Sequence, residues 1–199
     1  MSNYKTVFFI LGVLQIILGF SMIIPIGIQV IYKQVDQSFI GAGIITIIFG
    51  ILFFLSNLDH DKKLNLQQAF KLTALPWLSV AIFGSLPFIF SELELSITDA
   101  FFESMSGITT TGSTIILNLN ESPKGILFWR AILQWFGGIG IIVMAITLMP
   151  IMNIGGMKLF TISSNHTPEK ILPKTKEISI RLILIYLCLT LICMIFYKI

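Results

Sequence analysis

Apolar positions along this chain come in long unbroken runs rather than in the spaced stripes of a soluble fold. Five runs stay apolar over roughly 20 residues: approximately Val7–Tyr32, Phe39–Leu58, Leu72–Phe90, Ile126–Met152 and Ile178–Tyr197. A helix of about 20 residues crosses a hydrocarbon core about 30 Å thick, so each run predicts a membrane-spanning helix. The first run follows Met1-Ser-Asn-Tyr-Lys5. Its apolar stretch is about twice the 7–15 residues of a signal-peptide core and has no small-x-small cleavage site, so it reads as a retained helix.

Helix breakers refine this outline. Pro25 should bend the first helix or end its regular part near Ile24. Gln15 and Gln29 are polar exceptions in the same run. Gly41, Gly43 and Gly50 in the second run, and Gly137, Gly138 and Gly140 in the fourth, are small residues that let another backbone approach closely in lipid. Pro76 and Pro87 predict kinks in the third run, with the freed carbonyls satisfied by neighbouring helices. Polar connections cover 33–38, 59–68 and 153–177. His60 stands between Asp59 and Asp61, but three adjacent side chains do not converge on one ion unaided, and the stretch reads as a solvated loop. Asn120-Glu-Ser122 fits a glycosylation pattern, yet Pro123 follows directly and nothing else indicates a secretory context.

Residues 91–124 do not fit the spanning pattern. Ser91-Glu-Leu-Glu-Leu-Ser96 is interfacial in character, and Ser96 with Asp99 resembles a helix start with an acidic first turn. Ile97, Ala100, Phe101, Met105 and Ile108 then follow helical spacing to about Gly107. That piece is only about 16 Å long, so it can enter a membrane but cannot cross it. A half-spanning helix needs a return segment at mid-depth, and Thr109 to Thr114 are the residues available.

Composition and charge agree with a membrane protein. The chain is 55% hydrophobic and only 12% charged over 199 residues, against roughly 25% charged in soluble domains. With the N-terminus cytoplasmic, the inner side holds Lys5, Lys62, Lys63, Lys71, Lys158, Lys170, Lys174, Lys176 and Arg181, and the outer side holds Lys33, Lys124, Arg130 and Lys198. This asymmetry obeys the positive-inside rule and turns residues 104–114 toward the outside. No basic patch interleaved with exposed aromatics suggests a nucleic-acid partner. Cys188 and Cys193 lie on different faces of the last run and read as buried small apolar side chains. No nucleophile–base pair, acidic cluster or phosphate-cradling loop falls at membrane depth, so the chain does not read as an enzyme.

Ser104-Met-Ser-Gly-Ile-Thr-Thr-Thr-Gly-Ser-Thr114 is a hydroxyl- and glycine-rich island between apolar runs. A cation crossing a bilayer must exchange water oxygens for protein oxygens of similar energy. Backbone carbonyls of Thr110, Thr111, Gly112 and Ser113 can supply them, with Gly112 free to take positive φ so that successive carbonyls face one way. Thr109 and Thr114 flank this strand as support. The preceding short helix aims the negative end of its dipole at the same place. Asp99 and Glu103 are either a charged vestibule or, respectively, a helix start and a carboxylate held by the filter's own amides. Arg130 either snorkels to the interface or pairs with Glu103 or Glu121.

Phe101-Phe-Glu-Ser-Met-Ser-Gly-Ile-Thr-Thr-Thr-Gly-Ser-Thr114, followed by Arg130-x3-Gln-Trp-x-Gly-Gly-Ile-Gly-Ile-Ile142, closely resembles the pore-forming membrane subunit of Trk-type bacterial potassium uptake systems, relatives of the Ktr and plant HKT transporters. The two helices before the repeat match the Trk branch. The resemblance implies an all-α polytopic fold with four helix–pore loop–helix repeats about one pore, subunits paired as homodimers in the bacterial plasma membrane, and a cytosolic nucleotide-binding ring as regulatory partner. It also implies potassium as the transported substrate, with no covalently bound cofactor. Thr110 to Ser113 become the filter donors and Gly112 the filter glycine. Relatives with Ser at that glycine tend toward sodium, so Gly112 points to potassium. On this scheme residues 1–62 hold the two N-terminal helices, 63–153 the first repeat, 154–177 a cytoplasmic loop, and 178–199 the first helix of a second, incomplete repeat. The chain is therefore expected to be the N-terminal part of such a subunit, carrying one quarter of a filter. The competing reading is a non-conducting scaffold in which Thr109–Thr114 is a plain packing kink.

Overall fold

A computed structural model describes residues 4–34, 36–59, 66–119, 121–148 and 171–198. The His60 loop, Asn120, the end of the fourth apolar run and the connection 149–170 lie outside the described residues. Among the described residues every regular element is a helix: α1 Lys5–Ser21, α2 Ile23–Ile31, α3 Ser38–Ser56, α4 Leu66–Gly84, α5 Leu86–Phe90, α6 Ile97–Ile108, α7 Lys124–Leu148 and α8 Ile171–Lys198. Five stretches among them are long and apolar enough to cross a membrane, Lys5–Ile31, Ser38–Ser56, Phe70–Phe90, Lys124–Ala145 and Ile180–Tyr197. They reproduce the five apolar runs. The protein is an all-α polytopic membrane protein.

The chain divides into two compact units, Met1–Gly138 and Ile139–Ile199. In the first, α1 and α3 approach most closely around a glycine pair. A side chain at Gly12 would meet the Phe54 amide nitrogen at 2.6 Å and the Gly50 carbonyl at 2.9 Å, and one at Gly50 would meet the Ile16 nitrogen at 2.9 Å. With no hydrophobic drive between helices in lipid, such backbone contact is where packing attraction concentrates. Gln15 of α1 is fully buried, and its amide donates to the Ser79 hydroxyl of α4 at 2.6 Å. At the far end of the hairpin, the Gln34 side-chain oxygen accepts from the Lys124 amide at 3.0 Å, at the start of α7. That contact satisfies one of the helix's open N-terminal donors.

The prolines act through the bonds they remove. The first span breaks at Met22, where α1 gives way to α2, three residues before Pro25. The third breaks at Ser85, with Pro87 in the first turn of α5, whereas Pro76 is accommodated inside α4. At this second break the Phe88 amide turns to the Ser85 carbonyl at 3.0 Å instead of reaching back to Gly84. The Gly84 carbonyl is left over, and the indole N–H of Trp129 in α7 donates to it at 2.9 Å. Trp129 is 0% exposed and lies edge-on to Phe39 at 6.0 Å between ring centroids. Leu18, Met22, Phe88, Ala100, Ile126 and Leu133 complete the core around it. The outward positions are apolar too, with Ile44, Leu52 and Ile82 among many exposed residues, as a surface bathed in lipid requires.

In the second unit α8 begins at Ile171 rather than at Ile178. Pro173 falls in its first turn, where a missing N–H costs nothing, so the proline does not delay the helix as a loop reading supposes. Cys188 and Cys193 are both exposed and unpaired, which corrects the expectation that they are buried.

Replacing Gly12 with Leu drives a side chain into the α3 backbone. The Gly12→Leu protein should lose about 1–3 kcal/mol of stability, the usual cost of overpacking, read as a lower melting temperature in detergent micelles. Trp129→Phe keeps an aromatic ring but removes the N–H together with part of the buried indole volume. It should cost about 1–3 kcal/mol by stranding the buried Gly84 carbonyl, measured in the same melt.

Candidate functional site

The unusual segment folds as a short helix followed by a returning loop. The Ser96 hydroxyl accepts from the Asp99 amide at 3.1 Å, so the expected helix start is present. α6 has 12 residues, roughly 18 Å, and cannot cross a bilayer. Its buried face carries Ala100, Glu103, Ser104, Ser106, Gly107 and Ile108, while Ile97 and Phe102 are exposed. Polar and small groups face inward because the outside is hydrocarbon.

The end of α6 sets the loop geometry. The Thr110 amide donates to the Gly107 carbonyl at 2.9 Å and the Thr111 amide to the Ser106 carbonyl at 3.0 Å, with Thr110 left-handed at φ +57°. This is the bond pair of a Schellman cap, in which the left-handed position is usually glycine. A threonine there is strained by on the order of 1–2 kcal/mol. Gly107, which the sequence reading placed near the helix end, has another role: a side chain on it would touch the Leu133 Cβ at 3.0 Å, so it is a close-packing position.

Two residues after Thr110, Gly112 is again left-handed at φ +78°, with no atom within 4 Å of where a Cβ would stand. In an ordinary extended strand successive carbonyls point to opposite sides. Left-handed residues at alternate positions are the backbone pattern that brings them to one side. Thr109 through Thr114 are all exposed. Among the described residues, none donates to the carbonyls of Thr110, Thr111 or Gly112. The Ser113 carbonyl accepts the Ser106 hydroxyl at 2.6 Å, which occupies one of its two lone pairs. The Thr109 hydroxyl donates to the Met105 carbonyl at 2.8 Å, so its contact with Thr111 at 2.8 Å makes Thr111 the donor.

Glu103 is 0% exposed. One carboxylate oxygen accepts from the Thr114 hydroxyl and the Ile115 amide, both at 3.1 Å. The other pairs with the Arg130 guanidinium of α7. Of the two readings left open for Glu103, this geometry is that of a carboxylate held by the loop's own amide. A charge on the buried face of a half-spanning helix is retained only with a partner of opposite sign and its lone pairs engaged. Arg130 pairs with Glu103 instead of snorkelling or turning to Glu121, whose carboxylate lies 3.5 Å from the Asn118 amide group. Asp99 is half-buried in the first turn of α6, as a helix start.

The glycine-marked helix meets the loop as expected. A side chain on Gly137 would collide with the Ile108 carbonyl and come within 3.0 Å of the Thr110 methyl, so the α7 backbone lies directly against the cap of α6. Two features went unread in the sequence, the left-handed Thr110 and the Ser106 hydroxyl bond. No spacing rule links a helical residue to one seven positions later across a non-helical turn.

Comparison with known proteins places the chain in a family. Residues 35–199 match the model of the family described as TrkH, cation transport protein. The chain is 38% identical over 195 residues to the Trk system potassium uptake protein TrkH of Escherichia coli strain K12, covering 96% of this chain and 40% of that protein. It is 37% identical over 189 residues to the Trk system potassium uptake protein TrkI of Halomonas elongata, covering 94% and 38%. The crystal structure of the potassium transporter TrkH from Vibrio parahaemolyticus superposes with a TM-score of 0.80 at 34% identity, over 95% of this chain and 38% of that one. The chain thus spans about two fifths of the length of these relatives. Matched by one family model over most of its residues and sharing its fold with a solved relative, the chain belongs to the TrkH family of cation transport proteins.

Proposed function

We propose that this chain contributes one quarter of the selectivity filter of a potassium uptake subunit in a bacterial plasma membrane. In this reading the carbonyls of Thr110, Thr111, Gly112 and Ser113 replace the water around a K⁺ ion. The observation that carries it is the pair of left-handed residues, Thr110 and Gly112, which follows a helix too short to cross and leaves the exposed carbonyls of Thr110, Thr111 and Gly112 without a donor among the described residues. Non-helical backbone at membrane depth is tolerated where it lines a cavity, and carbonyl rings are what dehydrate a cation. The C-terminal end of α6 adds negative potential at the same point. Glu103 is neutralised by Arg130 and so serves as the loop's anchor.

Three further repeats complete the ring in the whole subunit, which pairs as a homodimer and is regulated by a cytosolic nucleotide-binding partner. The N-terminus is cytoplasmic, the filter opens outward, and residues 154–177 contribute to the cytoplasmic face. The K⁺ names of the relatives support the ion assignment.

The test is a chimera in which this chain replaces the matching part of a full-length relative, expressed in a host lacking its own potassium uptake. Gly112→Ser fits sterically but strains the backbone, since only φ is special there. It should lower the preference for K⁺ over Na⁺ by on the order of tenfold, read by rubidium uptake in competition with sodium. A variant that inserts, assembles and keeps the wild-type preference would refute the filter assignment and favour a scaffold.

The ion pair gives a second test on the chain alone. Arg130→Ala strands a fully buried carboxylate, and Glu103→Ala strands a guanidinium that is 13% exposed. Each should cost about 3 kcal/mol, the former more, and the double variant should cost less than the sum. Thermal unfolding in detergent measures all three.

A further inference from the structure

Ser106 lies within the last turn of α6 and is buried at 5% exposure. It holds three successive loop residues at once. Its carbonyl accepts from the Thr111 amide at 3.0 Å and, at a longer 3.4 Å, from the Gly112 amide. Its hydroxyl crosses to the Ser113 carbonyl at 2.6 Å, a short, strong hydrogen bond. The first contact is the ordinary business of a helix cap and needs no particular side chain. The hydroxyl bond does need one, and Ser113 is the outermost of the four proposed donors.

The geometry points to Ser106 as a specificity-determining positioning residue, whose hydroxyl fixes the direction and reach of the Ser113 carbonyl. This rests on the filter reading above and deepens it. A carbonyl tethered from behind presents one lone pair along one direction. Released, it swings and closes on a smaller ion. Discrimination against a smaller cation depends on how far the ring can contract and on the field strength of its oxygens. The tether therefore acts on sodium rejection, with no contact between Ser106 and the ion.

Three substitutions at this position separate the hydroxyl from its volume, all in the same chimera. Ser106→Ala removes the donor. Ser106→Cys keeps the volume but donates weakly. Ser106→Thr keeps the hydroxyl. The alanine and cysteine variants should each lose about tenfold of the K⁺ over Na⁺ preference, the weight of one hydrogen bond, while threonine restores most of it. The ratio of rubidium uptake with and without competing sodium is independent of expression level, so a loss of folded protein alone does not move it. If Ser106→Ala fails to reach the membrane, the near-isosteric cysteine variant decides. A wild-type ratio in the alanine or cysteine variant, beside a shifted ratio in Gly112→Ser, overturns the role of Ser106 and leaves the filter intact. An equal shift in all three Ser106 variants also overturns it, since packing rather than the hydroxyl would then be responsible. An unchanged ratio in Gly112→Ser and in every Ser106 variant defeats the filter reading itself.

Discussion

A backbone group freed at a helix break or helix end inside an apolar bundle has no water to bond to, and much of this structure follows from that constraint. The protein answers it with side chains that take water's place. Glu103 takes the Ile115 amide, and the Trp129 indole N–H donates to the Gly84 carbonyl. The two come from different helices, α6 and α7, and the Trp129 bond also welds α7 to the break between α4 and α5. Glu103 is the more heavily used, since it joins α6, the returning strand and α7 through a single buried carboxylate.

The alternative arrangement, in which polar groups face outward and apolar ones fill a core, is closed to a protein with lipid on its flanks. α6 shows this most plainly, with serines and a glutamate inside and Ile97 and Phe102 outside. Packing energy has to come instead from close backbone approach, which explains why the glycines sit where helices cross. Gly12 with Gly50 seats α1 on α3, and Gly137 admits the cap of α6 onto α7.

Much of this was legible in the sequence. Run length alone located the five spans, because bilayer thickness leaves little freedom in helix length. The Ser96 cap and the half-length of α6 could be read from local chemistry, and the glycines of α7 from their crowding. What could not be read was non-local or conformational. Glu103 lies 27 positions before Arg130, and composition offers Arg130 two acidic partners without choosing between them. Thr110 is left-handed against its own preference, since the Schellman bonds and the α7 backbone impose the conformation from outside. The helical turns before Ile178 went unread because they are hydrophilic, and an apolar run marks only the part of a helix that lies in lipid.

The inverted face of α6 also constrains how the protein is made. With Glu103, Ser104 and Ser106 on one side and fewer residues than a span requires, α6 has no favourable place in bare lipid. A lone carboxylate near a bilayer centre costs about 2.5–3.5 kcal/mol even on insertion scales that soften the penalty. The charge that neutralises it is on α7, which the ribosome makes later. The stable seat of α6 thus depends on a helix that the ribosome makes after it.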